Sequence, residues 1–503
     1  MSGLPTGWTE VELGEVWHES RARARPDAIA RTDYIGLEHV EGGTNRITGA
    51  GRSDGVKSAV AVFSAGDILY GRLRPYLNKV IRPPFAGVAS TEFLVFKESK
   101  ALVNGLLMRL LSSSDLVAYA NANSAGVNLP RISAKRLAEY RFGLAPVPEQ
   151  HRIVTKIESL FARLDEGVAA LKRAEANLVR YRASVLKAAV EGRLTEEWRR
   201  ENPPAETGED LLRRILAERR KRWESEQLAK FEAKDRKPPK NWRAKYKEPV
   251  APDTSGLPKP PERWCWATVD QLAPVIQYGH TASADPSKQD GPRFLRITDI
   301  QDGRVQWSGV PGCVVSEAET EKYRLSAGNI VFARTGATTG KSYLIENHPE
   351  AIFASYLIRV GLSYLVHPRY VSAFFQSGSY WSQVERGKRG IGQPNVNARV
   401  LANITLPLPP VREQVEIADR VASAEDVVWQ ASNRFMGNCL TAASALRQSI
   451  LKRAFEGRLV PQDPADEPAS VLLERIRAER AAERKRRKPR PTQRKRQPKS
   501  RVP

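Results

Sequence analysis

The chain has 503 residues, 41% of them hydrophobic, with 80 Lys and Arg against 57 Asp and Glu for a net charge of +23. It is too long for one core and too apolar for general disorder. An odd count of 3 cysteines, set far apart, excludes a closed disulfide framework, and the 6 histidines never join them at the spacing of a zinc site.

In chain order, residues Met1 to Val16 show no basic stretch followed by an apolar run, so no leader is expected, and no apolar run reaches the length of a membrane span. A soluble, cytoplasmic protein is the expectation. A globular part opens with a Trp-containing strand, Trp8-Thr-Glu-Val11, and continues through short strands at Ala61–Phe63, Asp67–Tyr70 and Glu92–Phe96. A more helical stretch follows from Leu102 to Tyr119. The prolines of Leu144-Ala-Pro-Val-Pro148 then set a firm helix start. Beyond them Ile157, Leu164, Leu171, Leu178 and Val185 recur every seven residues, a heptad seam in a helix of roughly 45 residues, about 65–70 Å long at 1.5 Å per residue. An amphipathic segment, Leu211 to Arg219, follows, and the Lys- and Pro-rich residues 237–261 read as a linker.

The same plan then returns. Ser184-Val-Leu-Lys-Ala-Ala-Val-Glu-Gly-Arg-Leu194 matches Ser449-Ile-Leu-Lys-Arg-Ala-Phe-Glu-Gly-Arg-Leu459, Ser64–Leu69 matches Ser326–Val331, and Pro146-Val-Pro-Glu-Gln150 matches Pro410-Val-Arg-Glu-Gln414. In the second copy Trp266-Ala-Thr-Val269 takes the place of Trp8-Thr-Glu-Val11. Strands are expected at Asn329–Phe332 and Ser342–Ile345, and helical structure from Pro368 to Val384. Leu406-Pro-Leu-Pro-Pro410 is the second hinge, and Val421, Val428 and Phe435 continue the heptad in register. So long a period excludes a solenoid and gives each copy its own core. The fold expected is α+β: two similar globular domains separated by two long helices that pair antiparallel, with an approximate two-fold internal repeat. Packing of each helix on its own globular domain is the alternative.

Charge is unevenly placed. Residues 211–247 carry 14 Lys and Arg against 5 acids, and residues 471–503 carry 14 against 3, which together hold 20 of the 23 net charges. The final run, Arg484 to Arg501, reads as a solvated tail, able to attract DNA without order. Two catalytic motifs fail. Thr335-Gly-Ala-Thr-Thr-Gly-Lys-Ser342 lacks the first glycine of a phosphate-binding loop and leads into a strand rather than a helix. Asn202-Pro-Pro-Ala205 lacks the aromatic that an amino-methyltransferase stacks on a flipped base.

The duplicated order of Pro-Val-Pro-Glu-Gln150 with Ile153 and Leu186-Lys187 with Glu191-Gly-Arg-Leu194, then Leu408-Pro-Pro-Val-Arg-Glu-Gln414 and Leu451-Lys452 with Glu456-Gly-Arg-Leu459, resembles the specificity subunit of type I restriction-modification systems. The resemblance covers nearly the whole chain. It implies a target recognition domain at 1–148, a long helix at 149–195, a basic helical segment and linker at 196–256, a second target recognition domain at 257–409, a second long helix at 410–460 and a basic tail at 461–503. It implies a non-catalytic chain that binds a bipartite, asymmetric site on double-stranded DNA and scaffolds two adenine-N6 methyltransferase subunits, with room for two restriction subunits. No cofactor belongs to this chain; the methyltransferase would use S-adenosylmethionine and the restriction subunit ATP and Mg. A coiled-coil adaptor that meets nucleic acid only through its basic tails is the competing function.

Arg and Lys near turns suit guanine edges or phosphates, and Asn or Gln suit adenine. On that ground Arg46, Arg52, Lys57, Arg72, Arg74, Lys79 and Asn128 are the candidate DNA contacts of the first domain, and Arg334, Lys341, Lys388, Arg389, Gln393 and Asn395 those of the second.

Overall fold

The computed structural model describes residues 3–17, 19–25, 31–288, 290–301, 303–336, 338–387 and 396–487. Its two compact units are not consecutive halves of the chain: one joins Met1–Leu171 to Gly437–Pro503, and the other is Lys172–Met436. Each long helix is therefore divided, giving one stretch to each unit. Among the described residues no helix is long and apolar enough to cross a membrane.

In the first unit, strand Thr9–Glu12 pairs antiparallel with Arg141–Leu144. Strands Val80–Ile81, Ile68–Gly71, Phe93–Phe96 and Glu19–Ser20 form a four-stranded sheet, and Arg23–Ala24, Val60–Phe63, Gly87–Ser90, Asp33–Ile35 and Gly51–Arg52 a five-stranded one. The second unit repeats this topology. Cys265–Thr268 pairs with Thr405–Leu408, and Val275–Tyr278, Leu357–Gly361, Ile330–Ala333 and Ser342–Leu344 form the equivalent four-stranded sheet. Even the parallel pairing of Asp33–Ile35 with Gly87–Ser90 recurs, between Arg293–Leu295 and Ala351–Phe353. Among the described residues the five-stranded sheet does not survive in the second copy: where Val60–Phe63 makes a four-residue ladder, an isolated bridge from Arg324 to Ile352 stands in its place. Ser342–Leu344 is a strand after a turn with positive φ at Gly336 and Gly340, as the failed phosphate-loop motif requires.

The first long helix is continuous over Val147–Val190. The second runs Val411–Trp429, passes through a π-helical segment at Gln430–Met436, and resumes over Gly437–Phe455. Inside each unit the two helices run in opposite directions. In the first, Asp165 bonds Arg447 while Glu149 meets Gln462; in the second, Arg182 bonds Glu425 at 2.6 Å while Arg420 Nη1 reaches the Leu194 carbonyl at 2.7 Å. Of the heptad positions, Ile157 and Val421 lie buried in the globular cores, Leu164 and Val185 pack at their margins, and Leu171, Leu178 and Val428 are half-buried. Helix partner and globular domain thus share the apolar stripe. Phe435 departs from the expected seam at 68% exposure, while Met436 is buried at 7%. The wider π turn shifts the register by a residue and turns Phe435 outward.

Both Glu-Gln hinges explain themselves in the packing. Gln150 accepts from the Val103 amide at 2.9 Å and donates to the Ala101 and Ala145 carbonyls, and Gln414 accepts from the His367 amide at 2.9 Å and donates to the Pro409 carbonyl. Each glutamine thereby binds the start of its long helix to the start of another helix, satisfying backbone groups that a helix end leaves open. The glutamate beside it, buried at 1% in both copies, ties that start to the chain that follows the other long helix. Glu149 accepts from Trp8 Nε1 and Gln462 Nε2; Glu413 accepts from Trp264 Nε1, Thr195 Oγ1 and Arg199 Nε. Trp264, not Trp266, is therefore the counterpart of Trp8. Trp266 sits two residues further, within the strand, and donates to the Pro258 carbonyl instead.

The Glu-Gly-Arg-Leu sequence ends each long helix. Gly192 and Gly457 have φ of 70° and 66°, and the following arginine amides reach back to the Ala188 and Arg453 carbonyls at 2.9 and 2.8 Å, a glycine-closed helix end. A second helix then docks the same way in both copies: the Gly208 amide donates to the Arg263 carbonyl and the Ala469 amide to the Gly7 carbonyl. The expected linker is partly folded, for Trp242 is buried and its ring stacks on Trp223 at 5.8 Å.

Candidate nucleic-acid interface

Strand Ile68–Gly71 ends on the buried frame of Arg72, whose amide donates to the Glu92 carbonyl at 2.9 Å and whose carbonyl accepts from Ile132 at 3.1 Å. Two loops meet there. The first, residues 72–79, holds Arg74 in the left-handed region at φ 50°, fixed by its amide bond to the Pro130 carbonyl at 2.7 Å. The second, residues 124–131, is closed by a reciprocal pair of bonds between Ala125 and Arg131, both 2.9 Å, around Gly126 at φ 101°. A non-glycine residue in the left-handed region persists only where its surroundings hold it, a mark of functional loops.

The surface these loops present mixes cations with apolar side chains. Arg131 Nε lies 3.1 Å from both Glu92 oxygens, with Arg72 Nε 3.5 Å from the same carboxylate and too poorly aligned for a hydrogen bond. Arg72 Nε and Arg74 Nε are buried without a hydrogen-bond partner. Buried N–H groups are rarely left so, which suits side chains kept for an incoming acceptor. Around them Val127 is 99% exposed, with Tyr76 and Leu129 also open to solvent and Asn128 beside them. Lys79 faces the other way, spent on the Leu37 carbonyl at 2.7 Å. The remaining candidates of this unit lie apart: Arg46 pairs with Asp165 at 3.2 Å, Arg52 with Asp33 at 2.9 Å, and Lys57 is exposed ahead of strand Val60–Phe63.

Arg334 occupies the same frame in the second unit. Its amide donates to the Tyr356 carbonyl at 3.0 Å, and its carbonyl accepts from the Val396 amide at 3.0 Å. The surroundings differ. Its guanidinium lies 5.0 Å over the Tyr278 ring, Tyr278 Oη accepts from the Ala398 amide, and Tyr356 is 62% exposed where the first unit has Glu92. Lys341 is exposed at the end of the same loop. Lys388, Arg389, Gln393 and Asn395 lie outside the described residues.

Comparison with known proteins shows what the chain is similar to. Residues 261–426 match the family described as Type I restriction modification DNA specificity domain. The type I restriction enzyme EcoKI specificity subunit of Escherichia coli strain K12 is 27% identical over 422 residues, covering 79% of this chain and 75% of its own length. That relative is a type I specificity subunit, and this chain is similar to it along most of its length. The EcoDI specificity subunit of Escherichia coli is 31% identical over 225 residues, 44% of this chain and 50% of that one. A solved chain from work on complex assembly and conformational transition of the type I R-M system superposes with a TM-score of 0.65 at 18% identity, over 91% of this chain and all of that one, which establishes the fold.

Several residues of the candidate interface escaped sequence reasoning: Arg131, Glu92, Tyr76, Val127, Tyr278 and Tyr356. One signal pointed to the tip. Gly126-Val-Asn-Leu-Pro130 and Gly390-Ile-Gly-Gln-Pro394 share a Gly, a β-branched residue next to it and a Pro at fixed spacing. The aromatic surroundings of Arg334 left no such trace, because Tyr278 ends strand Val275–Tyr278 and Tyr356 lies in the turn before strand Leu357–Gly361, far apart in the chain.

Proposed function

We propose that this chain is the DNA-specificity subunit of a type I restriction-modification complex. Each unit reads one half of a bipartite, asymmetric duplex site through the loops around Arg72 or Arg334, and the long helices set the gap between halves. The chain performs no catalysis itself. Two adenine-N6 methyltransferase subunits dock on it and bring S-adenosylmethionine, and restriction subunits add ATP- and Mg-dependent cleavage, all in the cytoplasm.

One observation supports this reading best. Arg72 and Arg334 sit in matching backbone frames, yet one is surrounded by Glu92 and Arg131 and the other by Tyr278 and Tyr356. Equivalent scaffolds bearing different readers suit two different half-sites, since position is set by backbone frame and sequence by the side chains presented. The test is the adenine methylation pattern of DNA from cells expressing this chain with its neighbouring methyltransferase, each omitted in turn. A bipartite motif that requires both proteins is expected; sequence-blind binding alone overturns the proposal. Arg334→Ala should weaken methylation at sites of that motif, and unchanged activity removes Arg334 from the interface.

A further inference from the structure

Helix Gly208–Glu232 begins as part of the second unit and ends as something else. A capping box between Thr207 and Asp210 starts it, and Leu211 and Ile215 are buried in the core of that unit. Arg219 closes the docked part: it bonds the Asp270 and Ala273 carbonyls and lies 3.2 Å from Asp270 Oδ1. Past that point the helix leaves the core, and the chain after it folds back. Trp242 stacks on Trp223, Tyr246 packs against Trp223 at 5.3 Å, and Phe231 meets Trp242 edge-on. The returning chain is fixed at its far end by Val250, whose amide donates to Asp270 Oδ2 at 2.9 Å and whose carbonyl accepts from Thr268 Oγ1 at 2.6 Å. This is a small folded element with an aromatic centre.

Its surface carries a cationic excess that its carboxylates compensate only in part. Several of its arginines are paired, Arg222 with Glu226 and Arg243 with Glu224 among them. Lys221, Lys230, Lys234, Lys237, Lys240 and Lys245 are all exposed, and among the described residues none has a carboxylate within ion-pair distance. An open cleft of about 340 Å³ between helix and returning chain has the cations Arg219, Arg222, Lys245 and Lys247 in its lining against one acid, Glu226. The large apolar groups are spent inside the element, and Leu228 at 43% exposure is the one large apolar side chain the helix shows to solvent. A protein-docking face has an apolar, aromatic centre and is depleted in lysine. A lysine-rich surface without such a centre suits the phosphate backbone, which is bound by charge and counterion release.

We propose that residues 219–247 form an accessory grip on double-stranded DNA, binding phosphates irrespective of sequence while the loops around Arg72 and Arg334 read the bases. This rests on the DNA-specificity reading for its role, though not for its test. The experiment compares the complex of this chain with its methyltransferase, wild type against the Lys230→Gln, Lys234→Gln, Lys237→Gln and Lys240→Gln combination, on duplexes with and without the methylated motif. These side chains are exposed, so folding is unaffected. Each phosphate no longer neutralised takes about 0.9 from the slope of log affinity against log salt, so four lysines should flatten it by up to about 3.6. Affinity should fall by the same factor on both duplexes, with the methylated motif unchanged. An unchanged salt slope overturns the proposal, as does an unchanged slope accompanied by loss of the methyltransferase from the complex, which assigns the face to a protein. If the wild-type complex yields no bipartite motif, the specificity reading falls instead, and the slope on motif-free duplex still decides the grip.

Discussion

Replacing Glu413 by alanine should cost far more than the same change at its duplicate, Glu149, although both carboxylates are 1% exposed. Glu413 accepts from Trp264 Nε1 at 2.8 Å, Thr195 Oγ1 at 2.7 Å and Arg199 Nε at 2.8 Å. The Arg199 side chain is only 15% exposed and lies 5.2 Å over the Trp264 ring. Removing the carboxylate leaves a buried cation uncompensated, a loss of roughly 3–5 kcal/mol, with two orphaned neutral donors pushing toward the upper end. Glu149 accepts hydrogen bonds from neutral donors, Trp8 Nε1 at 3.0 Å and Gln462 Nε2 at 3.1 Å, and the nearby Arg152 is already paired with Asp466, so its truncation should cost about 1–3 kcal/mol. A chain of two units does not unfold as one transition. The assay is therefore hydrogen exchange by mass spectrometry across a denaturant series, reading peptides around Val411–Val421 and Val147–Ile157 separately. Arg199→Met, which removes the unpaired charge, should restore part of the loss in the Glu413→Ala background. Equal costs at the two glutamates, or an Arg199→Met that deepens the defect, would refute the assignment of the difference to a buried charge.

Gly457→Ala places a Cβ 2.2 Å from Pro5 Cγ at a φ of 66°, so it should cost more than the about 1–2 kcal/mol of a left-handed alanine and loosen the Pro5–Trp8 turn, seen as faster amide exchange there. Gly167→Ala, in the middle of the first long helix with nothing within 4 Å of the new Cβ, should instead raise stability by about 0.5–1 kcal/mol, measured by hydrogen exchange of peptides around residue 167 across a denaturant series. Burial lowers the His367 pKa, and its Nδ1 lacks a partner. Its contribution is therefore complete above the ordinary histidine pKa of about 6.5 and is lost as pH falls through the lower folded value; His367→Asn should flatten that acid limb in stability titrations of the second unit. Val127→Ser, at a fully exposed loop tip, should leave stability unchanged and relax the methylated motif in one half only; a motif relaxed in neither half excludes Val127 from base contact.

What the sequence made legible was whatever repeats locally. Strand and helix starts beside Pro146 and Pro410 were visible because proline and the Glu-Gln pair act within a few residues of themselves. The Glu-Gly-Arg-Leu ends were visible for the same reason, as a glycine closes a helix by its own φ. The division of each long helix between two units was not legible, because it depends on Glu149 finding Gln462 and Glu413 finding Arg199 across more than two hundred residues of chain. Trp8 was aligned with Trp266 on local sequence, whereas the shared acceptor, a buried glutamate 141 residues away for Trp8 and 149 for Trp264, selects Trp264. Heptad periodicity placed Phe435 on the seam, and the π segment moved it off.

The candidate interface divides along the same line, and the division bears on function. Arg72 and Arg334 could be nominated from the chain because each follows a recognisable strand. Their partners come from elsewhere: Glu92 and Arg131 in one unit, Tyr278 and Tyr356 in the other. The residues that fix the scaffold, Glu149, Gln150, Gly192 and their duplicates, are identical between copies because the glutamate and glutamine satisfy buried donors and backbone groups, and the glycine takes the left-handed φ that closes the helix, in both. The residues around the arginines are released from that demand, since their backbone frame is already held by bonds from the Arg72 and Arg334 main chain. A side chain can then change without loosening the loop that carries it. Such a design lets the two readers diverge independently, which is the physical condition for one duplicated chain to distinguish the two halves of an asymmetric site.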